Sequence, residues 1–251
     1  MRAAVDALYL AFSPYPYRAT MPACAHCVSD ADLMGLGAAP VRDVPADLLG
    51  RYARKAVSTW GEVDDFKRLL PRLLELSAAD HPGITPAVVT TKLQRANWQT
   101  WPLTERRAVW RFLTVWWRHN LGRWVGPGFA AHRILDAIAI AEADLDPYFS
   151  EWHHALAGQT NARLPATQHL VELLCESPLR VDAPDTVAHL APDAIGDAAK
   201  QYTAFLLDPA TDEELERALG DFASSEHARR LAVAYARLRR FADAATRPEL
   251  P

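Results

Sequence analysis

The sequence is poor in the residues and patterns that build sheets, disulfide frameworks and membrane spans. Glycine occurs 11 times and cysteine 3 times in 251 residues. No segment keeps the apolar and polar alternation of a half-buried strand, and three cysteines do not make a disulfide framework. The N-terminal apolar stretch is too short to span a membrane, and Asp6 interrupts the core that a signal peptide needs. We therefore expect a cytoplasmic protein without structural disulfides.

Complete motifs for common chemistries are also missing. The chain has no glycine-rich phosphate loop, no nucleophile elbow and no zinc-protease helix. A formal net charge of −4 gives no global attraction to nucleic acid or to an anionic membrane. The sequence predicts neither a nucleic-acid partner nor a membrane partner, and it leaves open whether the protein is an enzyme.

Amphipathic helical periodicity is what the chain has in abundance, most clearly between Pro40 and Leu76. Apolar residues recur there at spacings of three and four up to Trp60, which is typical of one buried helix face. Gly61 is expected to end this helix in the left-handed conformation, and the next helix is expected from Val63. Because proline lacks the backbone donor, the second helix should kink or restart at Pro71.

Similar patterns along the whole chain predict an all-α fold, an irregular array of roughly ten amphipathic helices. The helix from about Thr104 to Trp124 is the most apolar, so a Trp-rich central helix is expected there. We expect residues 1–251 to form a single all-α domain. The proline-rich stretch 177–192 is the candidate for an internal boundary or surface loop.

Six of the eight tryptophans lie within 27 residues, interleaved with arginines. Such a pattern is found in proteins that stack bases and hold phosphates. However, Trp110, Trp117 and Trp124 repeat every seven residues, on a different face from the nearby arginines. The helical phase therefore predicts that the tryptophans form a core and that the arginines form a solvated strip.

Cys24-x-x-Cys27 is the sharpest chemical feature of the sequence. Three prolines between Ser13 and Cys27 rule out a helix there, so the pair should lie on an extended arm, residues 13–27. Two thiolates at this spacing can occupy two corners of a zinc tetrahedron or close a redox disulfide. His81, in the turn after the central helix pair, is the first candidate for a further zinc ligand.

Three interpretations of Cys24 and Cys27 stay open: inert packed or surface thiols, a zinc site, and a redox pair. The favoured one is buried or surface thiols without function, and thiols that are merely packed predict slow alkylation and weak or no stoichiometric zinc. No second Cys-x-x-Cys exists, and the third cysteine, Cys175, lies in an apolar helix.

Two helical pairs of acidic residues and histidines are weaker candidates. Glu151-x-x-His154 is the half-motif of di-iron carboxylate bundles, but no second copy occurs. We expect Asp146 to cap its helix, and Glu151 and His154 to lie on a solvated face. His169-x-x-Glu172 is expected to be a surface pair.

Four segments resemble a pattern in uncharacterised bacterial proteins with an N-terminal helical unit. They are CAHC (24–27), PVR (40–42), TWGEVDDFK (59–67) and LPRLLEL (70–76), within residues 14–77. The resemblance implies a bacterial protein with the same N-terminal unit. It implies no activity, cofactor or functional residue.

The many amphipathic helices and the lack of a complete catalytic constellation predict a non-enzymatic scaffold or interaction protein. Its expected partner is another protein, and the sequence is compatible with a homo-oligomer. No cofactor is expected in this interpretation. The alternative is a zinc-binding or thiol-redox protein that uses Cys24 and Cys27, with zinc as the cofactor in the first case.

Overall fold

The computed structural model describes residues 1–124, 130–158, 160–176, 195–224 and 227–245. Over these residues the chain forms twelve α-helices and two short 3-10 helices. Within the same ranges extended pairing is limited to isolated bridges, so the predicted all-α fold is confirmed. None of the described helices has the length and apolar character needed to cross a membrane.

The helices are numbered in chain order. The first six are α1 (Arg2–Ala11), α2 (Asp30–Gly37), α3 (Ala46–Lys55), α4 (Val63–Ala78), α5 (Pro86–Arg95) and α6 (Leu103–Leu121). The remaining six are α7 (Ala131–Ala141), α8 (Asp146–Leu156), α9 (Thr160–Glu176), α10 (Ile195–Leu207), α11 (Pro209–Asp221) and α12 (Ala228–Ala245). The 3-10 helices are Val41–Asp43 and Trp98–Thr100.

The chain divides into two compact units, Met1–Trp116 and Trp117–Pro251. The division falls inside α6. The boundary predicted at 177–192 lies outside the described residues, and the single domain expected over residues 1–251 stays a prediction.

In the first unit, α4 carries the central apolar stripe, and α1, α3 and α5 pack against it. The buried residues of the stripe are Phe66, Leu69, Leu70, Leu73 and Leu74. The helix continues through Pro71 to Ala78, so the alternative in which it restarts at Pro71 is wrong. Burial of the stripe on both sides of Pro71 outweighs the hydrogen bond that proline cannot make.

The end of α3 also differs from the prediction. The helix stops at Lys55 rather than Trp60, and Val57 takes a positive φ of 56°. Trp60 is 1% exposed, but it reaches the core from a loop. Gly61 has the expected left-handed φ of 74°, within that loop and not at a helix end. The apolar spacing continues past Lys55 although the helix does not, because Trp60 is buried from the loop that follows the helix.

The second unit is built around an aromatic cluster, and α9 packs against α7, α8 and α12. Its members are Trp117, Tyr148, Phe149, Trp152, Tyr202 and Phe205, all 5% exposed or less. The Trp117 and Trp152 rings meet edge to face at 5.4 Å, a favourable geometry for aromatic pairs. The Trp117 indole N–H donates to the Tyr148 carbonyl at 2.9 Å, so its polar atom is satisfied in the core.

The predicted tryptophan core is confirmed at four of the six positions. Trp98, Trp101, Trp116 and Trp117 are buried, whereas Trp110 and Trp124 are 48% and 58% exposed. Trp117 packs against α8, whereas Trp124 lies beyond Leu121, the last residue of α6, so the seven-residue repeat does not place all three rings on one helix. Helical phase shows which residues share a face, and only a packed neighbour decides which part of the face is buried.

Candidate functional site

The arm begins at a buried ion pair of the first unit. Lys67 Nζ lies 2.8 Å from Glu105 Oε2, and both side chains are less than one-tenth exposed. The Tyr15 hydroxyl donates to Glu105 Oε1 at 2.6 Å and accepts from Lys67 Nζ at 2.9 Å. The start of the arm is therefore held by charge-assisted hydrogen bonds in a position of low solvent access.

A second anchor joins the arm to the beginning of α4. The Arg18 guanidinium donates to both carboxylate oxygens of Asp65, at 2.9 and 2.6 Å. Asp65 is 1% exposed, and it also accepts from the backbone N–H of Glu62 at 2.9 Å, which completes a capping box. One buried carboxylate thus caps α4 and fixes the arm.

Backbone hydrogen bonds pin the next residues of the arm to the loop between α3 and α4. The N–H of Gly61 donates to the Pro22 carbonyl at 2.7 Å, and the N–H of Cys24 donates to the Thr59 carbonyl at 2.9 Å. Ala23 forms an isolated antiparallel bridge with Trp60. These contacts involve no metal, and they hold the chain immediately before the cysteine pair.

The cysteine pair itself lies in a tight exposed turn. The N–H of Cys27 donates to the Cys24 carbonyl at 2.9 Å, and the N–H of Val28 donates to the same oxygen at 3.0 Å. A turn closed in this way keeps the first and fourth Cα atoms within about 7 Å, close to the separation that a disulfide spans. Both cysteines are exposed thiols.

Exposure contradicts the expectation that the two thiols are packed, and it is compatible with surface thiols, a zinc site or a redox pair. The arm docks through its backbone, through Arg18 and through the buried Met21, and these contacts leave the side chains of residues 24–27 in solvent. Slow alkylation of Cys24 and Cys27 was expected only if the thiols were packed. Because both thiols are exposed, that reason no longer applies.

The two thiols are electrostatically unequal. The pKa of Cys24 is lowered, chiefly because the backbone N–H of His26 donates to its sulfur and also because the Cys27 thiol does so. The pKa of Cys27 is raised by the same hydrogen bond and by the negative charge on Cys24. The positive charge of Lys55 acts on both thiols in the direction of ionisation. Cys24 is therefore the more acidic thiol of the pair.

Lys55 is the site residue that the sequence did not indicate. It is the last residue of α3, and its ammonium group donates to the carbonyl oxygen of Cys27. The sequence places it only on the polar face of a helix. Its contact with the turn occurs where α3 ends, at Lys55. The apolar spacing predicted that the helix continues to Trp60, so it gave no indication of this contact.

The structure provides no complete set of ligands for zinc at this turn. His81 is half-buried, and its Nδ1 lies 2.9 Å from the Pro82 carbonyl in its own turn. Among the described residues, no three or more His, Cys, Asp or Glu side chains are grouped so that they could hold a metal ion. We therefore do not assign Cys24, Cys27 or His81 as metal ligands.

The Glu151-x-x-His154 pair has an ordinary surface environment. Glu151 forms an ion pair with Arg118, and His154 is exposed. Asp146 is already the first residue of α8, and its N–H is capped by Asp144 Oδ1 at 3.0 Å. The N-cap residue is Leu145, which makes no side-chain cap hydrogen bond, so the cap predicted at Asp146 is wrong.

An open cleft of about 400 Å³ lies at the start of α8, between the segment that joins α7 to α8 and the first turns of α10. Its polar side chains are engaged in local contacts. Gln201 accepts from the Leu145 N–H at 2.6 Å and donates to the Ala143 carbonyl at 2.7 Å, while Asp197 pairs with Lys200 at 3.3 Å. The arrangement organises the start of α8 and the first turns of α10.

His169 is buried and not on the surface, which corrects the predicted pair with Glu172. Its Nδ1 accepts from the Ala131 N–H at 3.2 Å, and its Nε2 lies 2.9 Å from the Asn120 carbonyl. Because Nδ1 accepts, the proton is on Nε2 and the ring is neutral. Burial lowers the pKa of His169. The ring joins the end of α6 to the start of α7, and Glu172 pairs with Arg230 at 2.9 Å instead.

No protein-family model, curated protein sequence or solved structure matches this chain. The interpretation of the cysteine turn therefore rests on its own geometry.

Proposed function

We propose that the protein is a thiol–disulfide oxidoreductase whose reactive pair is Cys24 and Cys27. The observation that carries this proposal is the exposed turn, in which the Cys27 N–H donates to the Cys24 carbonyl and brings the two Cα atoms near the separation that a disulfide spans. A reactive dithiol needs solvent access, a thiol that ionises readily and a second thiol nearby. The turn exposes both thiols and lowers the pKa of Cys24, and the Cys27 thiol donates a hydrogen bond to the Cys24 sulfur.

The proposed reaction transfers two electrons from the dithiol to a disulfide substrate. The Cys24 thiolate attacks one sulfur of the substrate, forms a mixed disulfide and expels the other sulfur as a thiolate. That thiolate takes a proton from solvent. Cys27 then gives up its proton and attacks Cys24, which closes the Cys24–Cys27 disulfide and releases the second substrate thiol. One substrate disulfide is reduced and the protein dithiol is oxidised, and an external thiol reductant restores the dithiol.

The rigid attachment of the arm supports this assignment. Formation of the disulfide involves residues 24–27, and the residues immediately before them are paired with the loop between α3 and α4. The two sulfurs are therefore kept together before and after reaction, which reduces the entropy cost of closing the disulfide.

The scaffold function stays a prediction, because the described residues identify no partner chemistry. A helical protein of this kind could bind another protein and also carry the thiol pair. The two functions require different tests, and only the thiol chemistry has a defined group of atoms in the structure.

The decisive experiment exposes the purified reduced full-length protein to oxidised glutathione and follows it by mass spectrometry. We expect the loss of two hydrogen atoms per chain, with peptide mapping to a Cys24–Cys27 disulfide. Cys27→Ser should accumulate a glutathione mixed disulfide on Cys24, since the resolving thiol is missing. Cys24→Ser should greatly slow the reaction, and Cys175→Ser is the matched control that should behave as wild type.

Two results would overturn the proposal. One is a wild-type protein that forms no intramolecular disulfide over a range of glutathione ratios. The other is one equivalent of zinc that is retained through purification and lost in Cys24→Ser, which would make the pair a metal site.

A further inference from the structure

The backbone of Lys55 is held unusually firmly for a residue at the end of a helix. Its carbonyl oxygen accepts from the N–H groups of Ser58, Thr59 and Trp60, at 3.2, 3.1 and 3.1 Å. The Ser58 hydroxyl donates to the same oxygen at 2.7 Å. The Cα of Lys55 is thereby fixed to the same loop that pairs with the arm.

The side chain of Lys55 then reaches from α3 to the cysteine turn. Its ammonium group donates to the carbonyl oxygen of Cys27. The contact links residues 28 positions apart in sequence, and it fixes the peptide unit that follows the second cysteine.

Other charged groups near the end of α3 have different partners. Arg51 pairs with Asp32 at 2.6 Å, and the Arg18 guanidinium is engaged by Asp65 and Glu62. His26, within the turn, is exposed and acts on Cys24 through its backbone N–H. The charged side chain that acts on both thiols is that of Lys55.

We propose that Lys55 is a positioning residue of the thiol pair, which holds the turn through the Cys27 carbonyl and places a fixed positive charge beside the reacting sulfurs. This inference rests on the proposed thiol–disulfide function and adds the group that prepares the nucleophile. A nearby cation stabilises a thiolate relative to the thiol, which increases the reactive fraction near neutral pH.

The test compares three variants by the pH dependence of Cys24 alkylation with iodoacetamide. Lys55→Met removes the charge and keeps most of the apolar stem, Lys55→Arg keeps a charge and donors, and Arg54→Met removes a neighbouring exposed charge. We expect Lys55→Met to shift the alkylation profile to higher pH and to lower the rate at pH 7 by about three- to tenfold, the change for a half to one pKa unit. Lys55→Arg should recover most of the rate, and Arg54→Met should match wild type.

A second measurement needs no variant. Raising the salt concentration of wild-type protein from a low value to about 1 M screens exposed charges, so the alkylation profile should move in the same direction as in Lys55→Met. This readout remains available if Lys55→Met loosens the arm, which limited trypsin digestion at Arg18 would reveal.

The outcomes separate this inference from the proposed function. If wild type forms the Cys24–Cys27 disulfide but Lys55→Met alkylates at the wild-type rate, or Lys55→Arg is as slow as Lys55→Met, the role of Lys55 is overturned and the redox function stands. If wild type forms no disulfide with oxidised glutathione, the proposed function itself has failed.

Discussion

The aromatic cluster of the second unit and the arm of the first unit are stabilised in opposite ways. The cluster buries large rings at helical spacing and satisfies the Trp117 and Trp152 indole groups with backbone carbonyls. The arm has no regular structure, and it is held by one buried carboxylate, one buried ion pair and a few backbone hydrogen bonds. Large apolar side chains are thus buried by periodic helices, whereas the two exposed thiols lie on an aperiodic segment that specific polar contacts hold in place.

Removing an aromatic ring from the cluster should have the largest effect. Trp117→Ala is expected to lower the free energy of unfolding by about 3–5 kcal/mol, because it leaves a cavity among fully buried rings. Chemical denaturation followed by circular dichroism measures the change. Trp110→Ala is the matched control, since its ring is 48% exposed, and it should change stability by less than about 1 kcal/mol. Equal effects of the two variants would mean that α8 does not cover Trp117.

Removing the buried carboxylate of the arm should have a smaller and more local effect. Asp65→Ala is expected to cost about 2 kcal/mol, because it removes charge-assisted hydrogen bonds to Arg18 and the cap on the Glu62 N–H. Trypsin should then cleave faster at Arg18 while the helical signal is retained. Asp64→Ala, one residue away on the exposed surface, serves as the control. If trypsin cleaves Asp65→Ala at Arg18 no faster than it cleaves wild type, the backbone contacts are sufficient to hold the arm.

The smallest effect concerns His169, which is polar but belongs to the helical core of the second unit. Its folded-state pKa is lowered from 6.5, so the unfolded chain binds more protons as the pH falls below that value. Its contribution to stability is therefore complete above pH 6.5 and is lost as the pH falls. Between pH 7.5 and 5.5 this loss is at most about 1.4 kcal/mol.

Denaturant titrations at these two pH values provide the measurement. His169→Gln should be less stable at pH 7.5 but should show a flatter dependence on pH, and His154→Gln, at an exposed position, should keep the wild-type dependence. An unchanged pH dependence in His169→Gln would contradict the neutral buried ring.

The helices with local start and stop signals were predicted closely. Thr85 followed by Pro86 is a helix-start signal in the sequence, and α5 runs from Pro86 to Arg95, although the Thr85 side chain makes no cap hydrogen bond. Ser29 is a cap residue by type, and it forms a capping box with Asp32 at the start of α2. Such signals involve residues within one turn of each other, so they act in the same way wherever the helix lies in the fold.

Predictions of burial failed where they depended on which neighbouring segment covers a residue. Trp60 is buried from a loop, Trp110 is exposed on a helix that also carries buried rings, and His169 is buried where a surface pair was expected. Periodicity indicates a face, and it contains no information about which neighbour covers that face or where a loop folds back.

For the cysteine turn, the sequence by itself determined the residue types, their spacing and the lack of helix in the arm, because proline limits the backbone locally. Only the tertiary structure decided that both thiols are exposed, that Cys24 is the more acidic thiol and that Lys55 lies against Cys27. The physical reason is that thiol reactivity depends on charges and donors within a few ångströms. Lys55 is brought there by contacts between segments that are far apart in the chain.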